Sequence, residues 1–301
     1  MSAPVVVAVP GYERVADELC GLLGGETGTV FVRHFPDGEV YLRLDTPVEG
    51  REVVIVCGLE RPADRLLPLL FLAGTAKDLG ARRVGLVAPY LSFMRQDSRF
   101  HPGEGLTSVY FARLLSGTID WLVTVDPHLH RWASLDAIYT IPTQVVQAAP
   151  SIAAWIRDHV PEPVLIGPDA ESEQWVGAVA ALVDAPFLVL EKTRRGDRDV
   201  SVTAPDLARH RDRTPVLVDD IISTGRTMIE TLDHLRARAT RAPICIGIHA
   251  VFSDRAFDDL LAAGAARVVT CDTIAHPSNR IPTTPLLAPA VRRALDRVVA
   301  G

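Results

Sequence analysis

Short runs of β-branched and other apolar residues recur along the 301-residue chain: PVVVAV, VFVRHF, VVIVC, VGLVAPY and WLVTVD, then VLIGPD, FLVL, PVLVDD, ICIGIHAVF and RVVTCDT. Bounded by turn-forming residues, such runs predict strands. Between them, apolar residues at three- and four-residue spacing predict helices near Asp64–Leu79, Thr107–Ser116, Glu173–Leu182, Thr227–Arg238 and Arg255–Ala263. A last helix, LLAPAVRRALDRVV, has an apolar stripe able to pack on either half. Strands alternating with helices mean a parallel, doubly wound sheet. The halves read as loose copies, because strand, basic loop and strand ending in Asp occurs as VAPYLSFMRQDSR…WLVTVD and again as FLVLEKTRRGDR…PVLVDD. The seam is expected around Val146 to Ser151, where a helix would otherwise run through Pro150.

Composition narrows the class. Hydrophobic residues at 48% and charged residues at 23% are ordinary for a globular protein. Two domains of about 150 residues each are the expectation at this length, with boundaries at 1–146 and 147–301. No uncharged apolar run approaches the roughly 18 residues that span a bilayer, and MSAPVVVAVPGYERV lacks the basic start and long apolar core of a secretion signal. A cytoplasmic location is expected. Cys20, Cys57, Cys245 and Cys271 have no C-x-x-C spacing and read as small buried apolar residues, not as a zinc site or disulfide framework. The formal charge of −6 argues against a nucleic acid or an anionic membrane as partner.

The stretch VLVDDIISTGRTM, Val216 to Met228, carries the chemistry. Asp219 and Asp220 end an apolar strand, and ligands of open α/β sheets sit outside the carboxyl ends of strands. Two adjacent carboxylates can divide the donors of a vicinal diol. Ser223, Thr224, Gly225 and Thr227 then supply hydroxyls and backbone N–H groups at a helix N-terminus, which suits a phosphate. A diol beside a phosphate is a sugar phosphate; a plain helix cap with solvated acids is the other reading.

This loop resembles the phosphoribosyl diphosphate loop of type I phosphoribosyltransferases and of ribose-phosphate pyrophosphokinases. FPDGE (Phe35–Glu39), RQD (Arg95–Asp97), TVDPHLH (Thr124–His130), GPDAES (Gly167–Ser172) and EKTRRGDR (Glu191–Arg198) follow in the order seen in the pyrophosphokinases. The chain is similar to that family over nearly its whole length. The resemblance implies an α/β fold of two tandem type I phosphoribosyltransferase-like domains, each a mostly parallel sheet flanked by helices. It implies transfer of the β,γ-diphosphate of MgATP to O1 of ribose 5-phosphate, giving 5-phospho-ribosyl 1-diphosphate and AMP. Lys192 and Arg194 match the catalytic loop; read alone, K-x-R is a solvated hairpin tip. Arg95, Gln96 and Asp97 match the nucleotide loop. Phe35, Asp37 and Glu39 match the stretch that the family contributes to adenine binding from a neighbouring subunit, so a homo-oligomer is implied, a dimer or a multiple of dimers. Read alone, HFPDGEVYLRL is a turn leading into an exposed strand. Asp126, His128 and Asp169 match the magnesium region, where His128 can hydrogen-bond a phosphate or a metal-bound water instead of binding so hard a cation. Asp219, Asp220, Ser223, Thr224, Gly225 and Thr227 match the ribose 5-phosphate loop.

Departures are specific. Ser98 stands where many members have a basic residue, Arg226 where a small one is common, and Ala170, Glu171 and Ser172 where glycines are frequent. Side chains at 170–172 question the backbone's approach to a diphosphate. AHPSNRIP, Ala275 to Pro282, reads only as a loop. Two other functions stay open: a phosphoribosyltransferase consuming the same diphosphate, which leaves the first domain unexplained, and an inactive regulatory paralogue.

Overall fold

A computed structural model describes residues 2–195, 199–203, 207–236 and 241–297, with 171, 191–195, 199–203, 207 and 208 described by their backbone alone. By its contacts the chain forms two units, Met1–Gln147 with Thr283–Gly301, and Ala148–Pro282.

The first unit runs β1 (Val5–Ala8), α1 (Glu13–Leu23), β2 (Glu26–Thr27), β3 (Val30–His34), β4 (Val40–Leu44), β5 (Glu52–Val56), α2 (Pro62–Asp78), β6 (Arg83–Ala88), α3 (Thr107–Ser116), β7 (Trp121–Val125) and β8 (Thr143–Val146). The second runs α4 (Ala149–His159), β9 (Pro163–Gly167), α5 (Glu173–Val183), β10 (Phe187–Val189), β11 (Glu191–Arg195), β12 (Asp199–Thr203), β13 (Thr214–Ile222), α6 (Arg226–Arg236), β14 (Ile244–Ala250), α7 (Ala256–Ala262), β15 (Arg267–Cys271) and β16 (Asn279–Ile281). The chain then enters α8 (Thr284–Asp296). Each unit is built on a six-stranded sheet, ordered β2-β1-β5-β6-β7-β8 in one and β10-β9-β13-β14-β15-β16 in the other. All neighbours within both sheets are parallel, and each unit adds an antiparallel hairpin, β3–β4 or β11–β12.

The two orders are the same pattern, so the duplication is real, but its register differs from the one the motifs suggested. β6 and β7 correspond to β14 and β15, and the hairpin β3–β4 corresponds to β11–β12. The basic loop after β6 is therefore not the counterpart of the basic stretch after β10. The similarity that suggested otherwise lay in charge, and charge in loops does not encode strand order.

Strands covered on both faces read as uninterrupted apolar runs. Val5, Val7, Val53, Ile55, Val84, Leu86 and Leu122 pack with α2 and α3, while α1 and α8 pack on each other and on β1 and β7. At the paired positions Gly85 and Trp121, a Cβ on the glycine would lie 1.9 Å from the indole, so the large ring fits only because the neighbour has no side chain. In the second unit Leu217, Cys245 and Val268 pack with α6 and α7, and α4 packs on α5. Thus α4, which follows the first sheet, belongs to the second unit, and α8, which follows the second sheet, belongs to the first.

The predicted helix Thr107–Ser116 is α3, and the others differ by a residue or two at their ends, although 237–240 and 298–300 lie outside the described residues. Two helices were not anticipated. α1 carries charged residues among its apolar ones, and α4 contains Pro150. That proline sits in the first turn, where its missing N–H costs no intrahelical bond, so it opens the helix instead of breaking it.

Candidate active site

In the second unit the carboxyl ends of β9 and β13 bring carboxylates together. Asp220 is 5% exposed and donates its backbone N–H to Asp219 Oδ1 at 3.0 Å. The Asp219 carboxyl is held well above the ordinary carboxylate range, by burial first and then by the charges of Asp220 and Asp169. Beyond the strand, Gly225 adopts φ +67°, a left-handed conformation that favours glycine. Its carbonyl accepts the Ile229 N–H at 2.8 Å, which makes it the first carbonyl of α6. The N–H groups of the first turn have no intrahelical acceptor and face the same end as Ser223, Thr224 and Thr227. The Ser253 N–H donates to the Ser223 carbonyl at 3.2 Å and fixes the turn.

Of the three positions where glycines are missing after β9, Ala170 and Ser172 have described side chains. Ser172 is fully buried, donates its hydroxyl to the Asp169 carbonyl at 2.6 Å, and gives its backbone N–H to the Asp169 carboxylate at 3.2 Å. A Cβ on Gly167 would lie 2.5 Å from that hydroxyl. The Ser172 side chain is thus turned into the protein, and Ala170 is exposed.

Sequence reasoning missed polar groups on the neighbouring strands. His249, 1% exposed in β14 and level with Ile221, shares a 2.9 Å hydrogen bond with Thr273 Oγ1. Thr273 gives its own proton to the Ile248 carbonyl at 2.9 Å, so it accepts from His249 Nδ1–H, which fixes the ring tautomer. A histidine inside the apolar run ICIGIHAVF was the available signal. The AHPSNRIP loop is also more than a connection: His276 Nδ1 accepts the Ser278 N–H at 3.1 Å, and the Asn279 side chain donates to Thr270 Oγ1 and the Cys271 carbonyl at 2.9 and 2.8 Å. These bonds fold the return into β16, and partial burial lowers the His276 pKa.

The hairpin β11–β12 sets Lys192 opposite Val202 and Arg194 opposite Val200. With a period of two, positions 192 and 194 fall on one face of the ribbon and 195 on the other. Arg198 lies outside the described residues.

In the first unit, the tip of β3–β4 is a tight turn. Phe35 N–H donates to the Glu39 carbonyl at 2.8 Å, and Asp37 Oδ1 accepts the Glu39 N–H at 3.1 Å. The Arg33 guanidinium stands 4.3 Å from the Phe35 ring centre and 4.9 Å from that of Tyr41, making an exposed cation–aromatic face. After β6, Arg95 is exposed, and Gln96 Nε2 donates to the Ser98 carbonyl at 3.2 Å. Asp97 is turned inward: Arg131 gives it Nη1 at 2.7 Å and its backbone N–H at 3.1 Å. After β7, Asp126 is buried with φ +30°, a strained conformation for a residue other than glycine, and His128 and His130 stack with ring centres 5.4 Å apart.

In the first unit, Tyr12, Glu60 and Arg65 form a polar cluster beside the ends of β1 and β5. Tyr12 donates its hydroxyl to Glu60 at 2.6 Å, and Arg65 pairs with Glu60 at 2.7 Å and with the Pro10 carbonyl at 2.8 Å. A Cβ on Gly58 would lie 1.7 Å from the Tyr12 hydroxyl. Burial, and after it the Glu60 charge, raises the Tyr12 pKa well above normal.

Among the described residues no three His, Cys, Asp or Glu side chains converge closely enough to hold a metal ion. Asp126 and His128 belong to the first unit and Asp169 to the second. The chemistry of the acidic residues nevertheless fits a hard divalent cation. Asp219, Asp220 and Asp169 are oxygen donors whose mutual repulsion and burial already penalise ionisation of Asp219.

Residues 5–118 match the family profile of the N-terminal domain of ribose phosphate pyrophosphokinase, and residues 134–283 match that of the phosphoribosyl transferase domain. The chain is 31% identical over 290 residues to a ribose-phosphate pyrophosphokinase of Methanopyrus kandleri, covering 95% of this chain and 98% of that one. The chain belongs to the ribose-phosphate pyrophosphokinase family. A second relative, from Methanothermobacter thermautotrophicus, bears the same name and is 31% identical over 291 residues, covering 96% of this chain and 100% of its own. In fold the chain is similar to the crystal structure of phosphoribosylpyrophosphate synthetase from Mycobacterium smegmatis, with a TM-score of 0.86 and 24% identity over 98% of this chain and 99% of that one. Membership accounts for the two tandem domains, one with Asp219 and Asp220 before the α6 N-terminus and the other with the Tyr12–Glu60–Arg65 cluster beside β1 and β5.

Proposed function

We propose that this protein transfers the β,γ-diphosphate of MgATP to O1 of ribose 5-phosphate, with the sugar phosphate bound in the second unit. The observation that supports the reading is an asymmetry between the two copies: Asp219 and Asp220 precede the N-terminus of α6, whereas beside the ends of β1 and β5 in the first unit stands the Tyr12–Glu60–Arg65 cluster. A single sugar-phosphate crevice leaves the first unit for the nucleotide. A phosphoribosyltransferase would have no use for that unit.

In this reading the Asp219 and Asp220 carboxylates accept hydrogen bonds from the 2- and 3-hydroxyls, and the α6 N-terminus with Ser223, Thr224, Gly225 and Thr227 holds the 5-phosphate. Arg95 and Gln96 bind the nucleotide, and Phe35 stacks on adenine with Asp37 and Glu39 on its edge. Asp126, His128 and Asp169 serve the metal and its water shell. Mg²⁺, when bound, supplies charge neutralisation on the diphosphoryl oxygens. Lys192 and Arg194 bear on the charge that develops as the β-phosphorus passes from AMP to the sugar oxygen. The N-terminal hairpin, exposed and aromatic at its tip, suits a nucleotide site shared between subunits of a homo-oligomer. No described helix is long and apolar enough to cross a membrane; we place the protein in the cytoplasm, without nucleic-acid partners.

Purified protein given ATP, Mg²⁺ and ribose 5-phosphate should release AMP in step with 5-phospho-ribosyl 1-diphosphate. AMP formation that needs no ribose 5-phosphate, or none at all, would end this reading.

A further inference from the structure

The inward turn of Asp97 joins two loops that the proposed reaction uses together. One, between β6 and α3, carries Arg95 and Gln96; the other, after β7, carries Asp126 and His128. Neither belongs to regular structure, and a loop's own hydrogen bonds do not fix its position relative to its neighbour. Asp97 and Arg131 supply that fixation. The Asp97 side chain is 1% exposed, and each of its two oxygens is engaged by a different donor of the same residue, Arg131 Nη1 at 2.7 Å and Arg131 N–H at 3.1 Å. The backbone bond specifies where the chain after His130 passes, and the guanidinium bond specifies its direction. The same guanidinium lies 5.2 Å from the Phe100 ring centre, so it also touches the far limb of the first loop. That limb is braced by Glu104, which accepts the Phe100 N–H at 2.7 Å and, through its carbonyl, Arg99 Nε at 3.0 Å. A carboxylate this buried is costly to leave unpaired, so the pair ties the two loops together.

We propose that Asp97 and Arg131 are a positioning pair that holds the nucleotide-binding Arg95–Gln96 segment in register with the Asp126–His128 segment. This rests on the diphosphotransferase reading and adds to it a residue, Arg131, to which the sequence assigned no role. It also moves Asp97 from contact with ATP to support of its neighbours. Alignment of reacting groups is sensitive to small displacements, and about 1 Å can change a rate roughly 10²-fold.

The test compares Arg131→Ala, Arg131→Lys, Asp97→Asn and the double variant Asp97→Asn/Arg131→Ala, each checked for folding by circular dichroism and thermal melting. Arg131→Ala should lower kcat/KM for ATP about 10²-fold, with KM for ATP raised and KM for ribose 5-phosphate within about threefold of the parent. Arg131→Lys, which keeps the charge and the backbone bond, should recover part of the loss. The double variant should be no worse than its worse single parent, as expected for two members of one unit. A merely structural role would reduce the active fraction and leave both KM values unchanged, and that result would overturn the proposal. So would losses that add in the double variant, or an Arg131→Lys protein that folds and turns over ATP no better than Arg131→Ala. Normal turnover by every variant would remove the pair and leave the reaction standing. A parent protein without ribose 5-phosphate-dependent AMP release would overturn the reaction and the pair with it.

Discussion

At the scale of the residue, burial and like charge oppose ionisation at Asp219. Its carboxyl is raised above the usual range by burial, Asp220 and Asp169. A raised folded value contributes stability that is fully present below the unfolded value of about 3.9 and is lost as pH rises through the folded value. A cation bound beside these carboxylates would offset their repulsion. Asp219→Asn keeps the acceptor for the Asp220 N–H and removes the charge. We expect it to raise the Tm of the ligand-free protein by about 2–4 °C at pH 7, with the gain shrinking towards pH 4, and to abolish most turnover. Mg²⁺ should raise the parent's Tm more than the variant's. Melting curves across pH, with and without Mg²⁺, measure both. Asp220→Ala should act on the sugar: loss of a charged hydrogen bond costs roughly 1.5–3 kcal/mol, so ribose 5-phosphate affinity should fall more than about tenfold while ATP affinity holds. Separate titrations of the two substrates decide it, and a larger loss for ATP would contradict the assignment.

At the scale of the element, the hairpin β11–β12 turns a sequence spacing into a geometric one. Positions 192 and 194 share a ribbon face and 195 does not. If cations act on charge that appears only in the transition state, removing them lowers kcat more than it weakens binding. A catalytic arginine in phosphoryl transfer is worth about 10³–10⁵ in rate. Lys192→Ala and Arg194→Ala should each lower kcat at least about 10²-fold with KM changes under about tenfold, and Arg195→Ala should be tolerated. Steady-state kinetics of the three separates the faces; equal damage at 194 and 195 would mean that the ribbon acts as a lid, not as a catalytic element.

At the scale of the whole molecule, the exchange of α4 and α8 makes each unit depend on a helix from beyond its own sheet. Arg83, at the start of β6, pairs with Glu52 at 2.9 Å and donates to the carbonyls of Leu295 and Arg297, both at 2.7 Å. Those carbonyls end α8 and have no intrahelical donor. Arg83→Ala should therefore cost roughly 1.5–3 kcal/mol, and hydrogen exchange should show faster opening in α1 and α8 but not in α4 and α5. Uniform protection across the chain would argue against the anchor. If the nucleotide site is shared between subunits, assembly becomes part of the test. Phe35→Ala should raise KM for ATP, since stacking of a base on an aromatic ring is worth about 1–3 kcal/mol. Mixed with Lys192→Ala protein, it should regain activity once subunits exchange, and no recovery after proven exchange would place the whole site within one chain.

The sequence by itself determined the strands and most helices, because burial on both faces forces continuous apolar runs. Ordered motifs also carried the family, since FPDGE, RQD, DPHLH and the double aspartate each mark a strand end or a turn. Other features depended on partners distant in the chain. Asp97 was legible only as part of the RQD loop, and its pairing with Arg131 came from the fold. Ser172 looked like an obstruction until it proved to be turned under Asp169. Tyr12 and Glu60, 48 positions apart, showed nothing in the sequence of the hydrogen bond that joins them. The register of the duplication and the helix exchange were decided in the same way, by which surfaces meet. Local patterns record what each segment must bury or cap, whereas the direction of a polar side chain is set by whichever donor or acceptor the tertiary fold places beside it.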